Sequence, residues 1–211
     1  MNHFMAAAAV LALATPPPAQ FVREPRTGVT FAARVGEMSL LGVGVRTKSF
    51  LKIKVYAIGL YVADSALSGP LAIHDGKVGT SAFYDDLVTG DFEKQIVLKL
   101  VRDLSAEQIQ GAFRSHMLSV DRTLLNQFVS YFEGTKAGQE CVLRWVPGGI
   151  LETTVAGMAK PAIPDKAFSQ AVFTIWLSDK PDHDQIRKRL VSRASALFES
   201  ARGVSLEPQP R

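Results

Sequence analysis

The run Leu40-Leu41-Gly42-Val43-Gly44-Val45-Arg46, followed by Phe50-Leu51-Lys52-Ile53-Lys54-Val55-Tyr56-Ala57-Ile58-Gly59-Leu60-Tyr61-Val62, decides the fold. Both stretches have the β-branched, aromatic and small apolar composition of strands. In the second, Lys52, Lys54 and Tyr56 alternate with Leu51, Ile53, Val55 and Ala57, and beyond Tyr56 the same face turns apolar through Ile58 and Leu60. A strand face that changes character in this way runs from solvent into a covered space. Arg46 closes the first stretch. Its guanidinium is always charged and only donates, so among apolar strands it needs an anion. Tyr56 is the nearest group able to share one.

Facing residues of an antiparallel hairpin lie equally far from its turn. Arg46 and Tyr56 therefore meet only if the turn centres near Leu51, where no Gly, Pro or Asn marks it. The polar Thr47-Lys48-Ser49 would centre the turn earlier and separate the pair.

Outward from this hairpin, further strands are expected at Val29–Ala33, Gln95–Val101, Glu140–Val146 and Leu151–Ala156, the last two joined by Pro147-Gly148-Gly149. Helices follow. Ser105-Ala106-Glu107-Gln108 is a capping box ahead of the stripe Ile109, Ala112, Phe113, His116, Met117 and Val120. Asp121 caps a second helix carrying Leu124, Leu125, Phe128, Val129 and Phe132. Phe168–Leu177 is apolar nearly all round and reads as buried, and one amphipathic helix from Ile186 to Phe198 ends the domain. Strands grouped first and helices after give an α+β fold, an antiparallel sheet covered on one face by helices.

At 211 residues the chain suits one core. That domain is expected over residues 21–203, with a targeting segment at 1–20 and a disordered tail at 204–211. Phe4 to Ala14 is apolar and Ala-rich, with a small-residue cleavage site and then Pro16-Pro17-Pro18, and it is too short to span a bilayer. Export through the secretory route is the expectation, the plastid the alternative. No stable membrane span is expected, and a monomer is favoured.

The net charge of +4 is modest. The basic run Arg187-Lys188-Arg189 with Arg193 lacks interleaved aromatics and reads as a solvated helix face, so nucleic acid is not an expected partner. The single cysteine, Cys141, in a strand-like run, reads as a small buried hydrophobe. His3, His74, His116 and His183 show no ligand spacing, so neither a metal nor any other cofactor is expected. Gly42 and Gly44 are no dinucleotide fingerprint, because Thr47 stands where a third glycine belongs and a strand follows.

The hairpin, together with Glu24–Phe31, Thr89-Gly90-Asp91-Phe92-Glu93-Lys94 and Phe168–Phe173, resembles the chalcone isomerase-like family, and most closely its plant fatty-acid-binding branch. The likeness covers about Phe21 to Ser200. It implies the family's open-faced sandwich and lipid binding. The family's hairpin arginine falls on Arg46. Tyr56 matches the binding branch, whereas isomerases have a threonine there. The isomerases' catalytic tyrosine falls at Ile109, their asparagine at His116 and a substrate-contacting threonine at Ile175.

The resemblance therefore implies a non-catalytic binder of a fatty acid or similar amphipathic carboxylate. Arg46 and Tyr56 would hold the head group, and Ile58, Leu60, Ile109, Phe113, Ile175 and Trp176 would form an apolar sleeve. His116 reads either as a satisfied core histidine or as a cavity-lining hydrogen-bond donor. The alternative function is a chalcone–flavanone isomerase, an intramolecular lyase in which Arg46 would be the catalytic cation.

Overall fold

The computed structural model describes residues 20–48, 53–179 and 184–205. The expected targeting segment (apart from Gln20) and the last six residues of the expected tail lie outside the described residues.

In chain order the elements are β1 (Phe21–Arg23), β2 (Thr30–Ala32), β3 (Arg34–Val35), β4 (Met38–Lys48), β5 (Ile53–Ala63) and α1 (Asp64–Ser68). A 3-10 turn (Ala72–His74), α2 (Ser81–Thr89), β6 (Lys94–Leu100), α3 (Ala106–His116) and α4 (Arg122–Ser130) come next. They are followed by β7 (Glu140–Val146), β8 (Ile150–Val155), β9 (Met158–Pro164), α5 (Lys166–Leu177), α6 (Asp184–Leu190) and α7 (Ala194–Ser205). Seven strands form one antiparallel sheet in the sequential order β3-β4-β5-β6-β7-β8-β9, and β1 and β2 form a separate two-stranded ribbon.

The β4–β5 hairpin sets the register of the rest. Arg46 pairs with Tyr56, and a bulge between Arg46 and Thr47 then shifts the ladder so that Thr47 pairs with Lys54 and Lys48 with Ile53. Thr47 and Lys48 are thus strand residues. Of the two placements that the sequence leaves open, the pairing of Arg46 with Tyr56 is the one found, and a turn centred on Thr47-Lys48-Ser49 is excluded because a bulge lets the ladder continue past the polar stretch.

Along β5, Ile53 and Lys54 are exposed, Val55 and Tyr56 half-buried, and every residue from Ala57 on is buried. Tyr56, Ile58, Leu60 and Val62 face the helices, where they join residues of β6, β7 and β8 in the main core. The opposite sheet face carries a smaller core of Leu40, Val43, Ala57, Tyr61 and Val97, which the ribbon covers through Phe31. Phe31 lies so close to Gly59 that a Cβ there would stand 2.8 Å from its ring.

The helix starts follow their caps. Ser105 and Gln108 form the reciprocal capping box, Asp121 Oδ1 accepts from Thr123 N (2.8 Å) and Leu124 N (3.0 Å), and Asp165 Oδ1 accepts from Phe168 N (2.7 Å). A T-shaped pair, Phe113–Phe128 at 4.9 Å, and another, Phe128–Phe168 at 5.5 Å, tie α3, α4 and α5 into one layer.

Three expectations need correction. The single closing helix is two helices, α6 and α7, broken after Leu190, where Arg193 N donates to Leu41 O (2.8 Å) and fastens the break to β4. Helix α7 reaches Ser205, inside the segment expected as a tail. The basic run is only partly a solvated face. Arg187 is buried over the Tyr84 ring at 4.4 Å and pairs with Asp179 at 2.6 Å, while Arg193 donates to Leu40 O at 2.7 Å. A sequence shows charge, but not which helix face the fold turns inward.

Gly42 and Gly44 acquire a role from the same packing. A Cβ at Gly42 would stand 2.2 Å from Arg189 O, and one at Gly44 would stand 3.1 Å from the Ile186 side chain. The glycines let α6 lie directly on β4.

Candidate functional site

Between the sheet and the helix layer lies a cavity of about 500 Å³. Its sheet wall carries Arg46, Tyr56, Leu98, Leu100 and Cys141, its α3 wall Ile109, Ala112, Phe113 and His116, and its α5 wall Ile175 and Trp176. The register explains the sheet wall. Arg46, Tyr56 and Leu100 stand side by side across β4, β5 and β6, and Leu98 pairs with Cys141 in the next row. Residues directly opposite each other in a ladder share a face. Most of the wall is therefore apolar, with charge concentrated at a few points.

Arg46 is half-buried, and no hydrogen bond or ion pair engages it among the described residues. Tyr56 stands beside it, and its phenol oxygen accepts a hydrogen bond from Trp176 Nε1 at 2.9 Å. Burial pushes the Tyr56 hydroxyl above its usual pKa; the Trp176 hydrogen bond and the Arg46 charge pull the other way. The phenol accordingly keeps its proton at neutral pH.

His116 is half-buried on the α3 wall, with Nδ1 2.8 Å from Ala112 O and 3.1 Å from Ser115 Oγ. A carbonyl only accepts, so Nδ1 carries the proton. Its own helix satisfies this side of the ring, and the residue also lines the cavity. Cys141 is buried in the floor, where burial pushes its thiol up to about 12. A thiol held that high is no nucleophile at neutral pH.

Ile58 and Leu60 do not line the cavity. They are fully buried one and two rows deeper along β5, and Ile58 lies beneath Gly44, where α6 closes onto the sheet. The strand pattern shows correctly which face they occupy but not where α6 seals it.

Residues that sequence reasoning missed are Arg102, Leu104, Glu107, Gln108 and Thr135. Leu104 and Thr135 exchange backbone hydrogen bonds (2.8 and 2.9 Å), which brings the segment before β7 under the start of α3. Arg102 is exposed and, like Arg46, has no partner among the described residues. The only signal for it was its place just past the apolar run that ends in Leu100 and Val101. Glu107 is held below the usual carboxylate range, first by the Ser105 side chain and then by its own backbone N–H.

Among the described residues no group of His, Cys, Asp and Glu is arranged to hold a metal ion, and no helix is long and apolar enough to cross a membrane.

The family model for chalcone isomerase-like proteins matches residues 27–192. The chain belongs to the chalcone isomerase-like family. Among its relatives, fatty-acid-binding protein 1 of Arabidopsis thaliana is 26% identical over 201 residues, covering 83% of this chain and 71% of that protein. A chalcone–flavanone isomerase of Clitoria ternatea is 27% identical over 203 residues, covering 87% and 90% respectively. The crystal structure of the Arabidopsis fatty-acid-binding protein superposes with a TM-score of 0.72 at 24% identity, over 85% of this chain and all of that one. The open-faced chalcone isomerase-like fold is thereby shared. The family holds both binders and isomerases, so membership alone does not decide the chemistry.

Proposed function

We propose that this protein binds a fatty acid or similar amphipathic carboxylate, with the head group held by Arg46 and Tyr56 and the chain lying in the cavity between sheet and helices. The observation that carries the reading is an arginine with no partner among the described residues, beside a protonated phenol on the wall of a largely apolar cavity of about 500 Å³. An ionised carboxylate would take charge-assisted bonds from the guanidinium and one more from the phenol. Each methylene buried contributes about 0.8 kcal/mol, so a long chain grosses on the order of 10 kcal/mol before association and ordering costs. The similarity to an Arabidopsis fatty-acid-binding protein supports the same reading.

The test is direct. Protein purified from bacteria is extracted with organic solvent and the extract analysed by mass spectrometry, beside an Arg46→Ala control. Fatty acid near one per chain in the wild type, and lost in the control, is the expected result. An empty wild type that also binds no added fatty acid at micromolar concentration rejects the proposal.

The isomerase likeness supports a second reading, closure of a phenolate onto an enone with Arg46 stabilising the oxyanion. Ile109 and Ile175 on the cavity wall weigh against it, since the family resemblance puts them where isomerases carry hydroxyl-bearing residues, which would leave fewer polar contacts for a substrate. Chalcone cyclisation no faster than in buffer would eliminate it.

A further inference from the structure

The corner where Arg46, Tyr56 and Trp176 meet has a polarity of its own. An indole nitrogen only donates, so in the Trp176–Tyr56 hydrogen bond (2.9 Å) the phenol oxygen is the acceptor. That fixes the direction of the Tyr56 hydroxyl. Its acceptor side is occupied, its proton is directed elsewhere, and no protein acceptor takes that proton among the described residues. Arg46 beside it has donors alone. The carboxylate and amide acceptors of the lining, Glu107 and Gln108, belong to the first turn of α3 rather than to this corner.

We propose that Trp176 is a positioning residue that holds Tyr56 as an obligate donor, so that the corner offers donors only and selects an ionised carboxylate over a fatty alcohol of equal chain length. This deepens the fatty-acid reading and rests on it. A carboxylate has acceptor sites enough for every donor present and needs none in return. An alcohol brings a hydroxyl proton that finds no acceptor at this corner once the indole fills the phenol oxygen, and a buried unpaired donor is costly. Discrimination of this kind comes from leaving a polar group unsatisfied rather than from adding a contact. Without the indole N–H, Tyr56 is free to turn and accept from the alcohol.

Trp176→Phe keeps an aromatic ring on α5 and removes only the N–H and part of the indole surface. Affinities for tetradecanoate and tetradecanol are measured by displacement of a fluorescent fatty acid for the wild type, Trp176→Phe, Tyr56→Phe and the double variant, with thermal melts alongside. The wild type should favour the acid by at least tenfold. Trp176→Phe should weaken the acid several-fold and shrink the acid-to-alcohol ratio about tenfold. In the Tyr56→Phe background the same substitution should leave the ratio unchanged.

A ratio that survives in Trp176→Phe, or one that falls equally in both backgrounds, overturns the inference and leaves fatty-acid binding standing. A wild type that binds neither probe overturns the fatty-acid reading itself and the inference with it. Should Trp176→Phe fail to fold, Tyr56→Phe alone decides, since a ratio unaffected by loss of the phenol is incompatible with an oriented donor.

Discussion

Arg46 stands directly across the β4–β5 ladder from Tyr56, on the strand face that looks into the cavity. The pairing places a charged donor and a neutral donor side by side where the strand face turns from wet to apolar. If this corner holds the ligand's head group, Arg46→Ala should weaken fatty-acid affinity by roughly 10–100-fold, the worth of a charge-assisted hydrogen bond. Folding stability should change little, because Arg46 is half-buried and pairs with nothing in the described protein. Arg46→Lys should recover part of the affinity, since lysine restores the charge without the planar fork. Titration calorimetry and thermal melts separate the two effects, and a melt that falls as steeply as the affinity would count against the head-group role.

The cavity's size sets an expected ligand length. At about 30 Å³ per heavy atom, the share of a water molecule in the liquid, a space of this size holds on the order of 15 heavy atoms. Affinity should therefore rise with each added methylene to roughly twelve to sixteen carbons and then level or fall. A displacement series of saturated acids reads this out, and a steady rise to much longer chains would mean that the chain leaves the cavity.

How far the sequence discloses this fold depends on whether a signal is local. The Ser105 capping box and the Asp121 cap need only a few residues, and each starts a helix as expected. The change of character along β5 is equally local, since period-two alternation is a property of one strand. The Arg46–Tyr56 register is not, because the bulge after Arg46 shifts the ladder by one residue and no turn residue announces it. The helix α2 was missed, and so was the edge strand β9, whose Pro161 and Pro164 argue against a strand. Arg102 and Thr135 reach the cavity through the Leu104–Thr135 bridge, a contact between distant segments that neither segment encodes alone. Arg46 could be picked out because a guanidinium beside apolar strands is conspicuous; Arg102, at a strand end, is not.

Gly42 should be intolerant of any side chain. A Cβ there would stand 2.2 Å from Arg189 O and 2.8 Å from Leu190 C, both backbone, so α6 would have to lift from β4. Gly42→Ala should cost about 1–3 kcal/mol by overpacking, and at this distance the upper part of that range is expected. Gly44→Ala should cost less, because its nearest neighbour at 3.1 Å is the Ile186 side chain, which can shift. Urea unfolding of the two variants gives the comparison, and equal costs would mean that α6 is not held rigidly against the strand.

Lys94 offers a prediction in pH. It is fully buried, with Nζ donating to Gly90 O (2.7 Å) and Val88 O (3.1 Å) and lying 4.1 Å from the centre of the Trp145 ring. It thereby binds carbonyls at the C-terminal end of α2 to the sheet, a placement that also suits the helix dipole. Burial lowers its pKa to about 7, against the charge of Asp91, while Lys166 adds to the depression. An unfolded chain holds that proton up to about pH 10. Below about pH 7 both states are protonated, and the cost of burying the charge is present in full. Between about pH 7 and pH 10 the unfolded state binds the proton more tightly, so this group makes the folded state more stable as pH rises. Lys94→Met removes that dependence along with the two carbonyl contacts. Unfolding free energies at about pH 6 and about pH 9 should show the wild type gaining on Lys94→Met at the higher pH. A difference that stays constant would mean that the ammonium remains charged throughout, held by its carbonyls and aromatic rings.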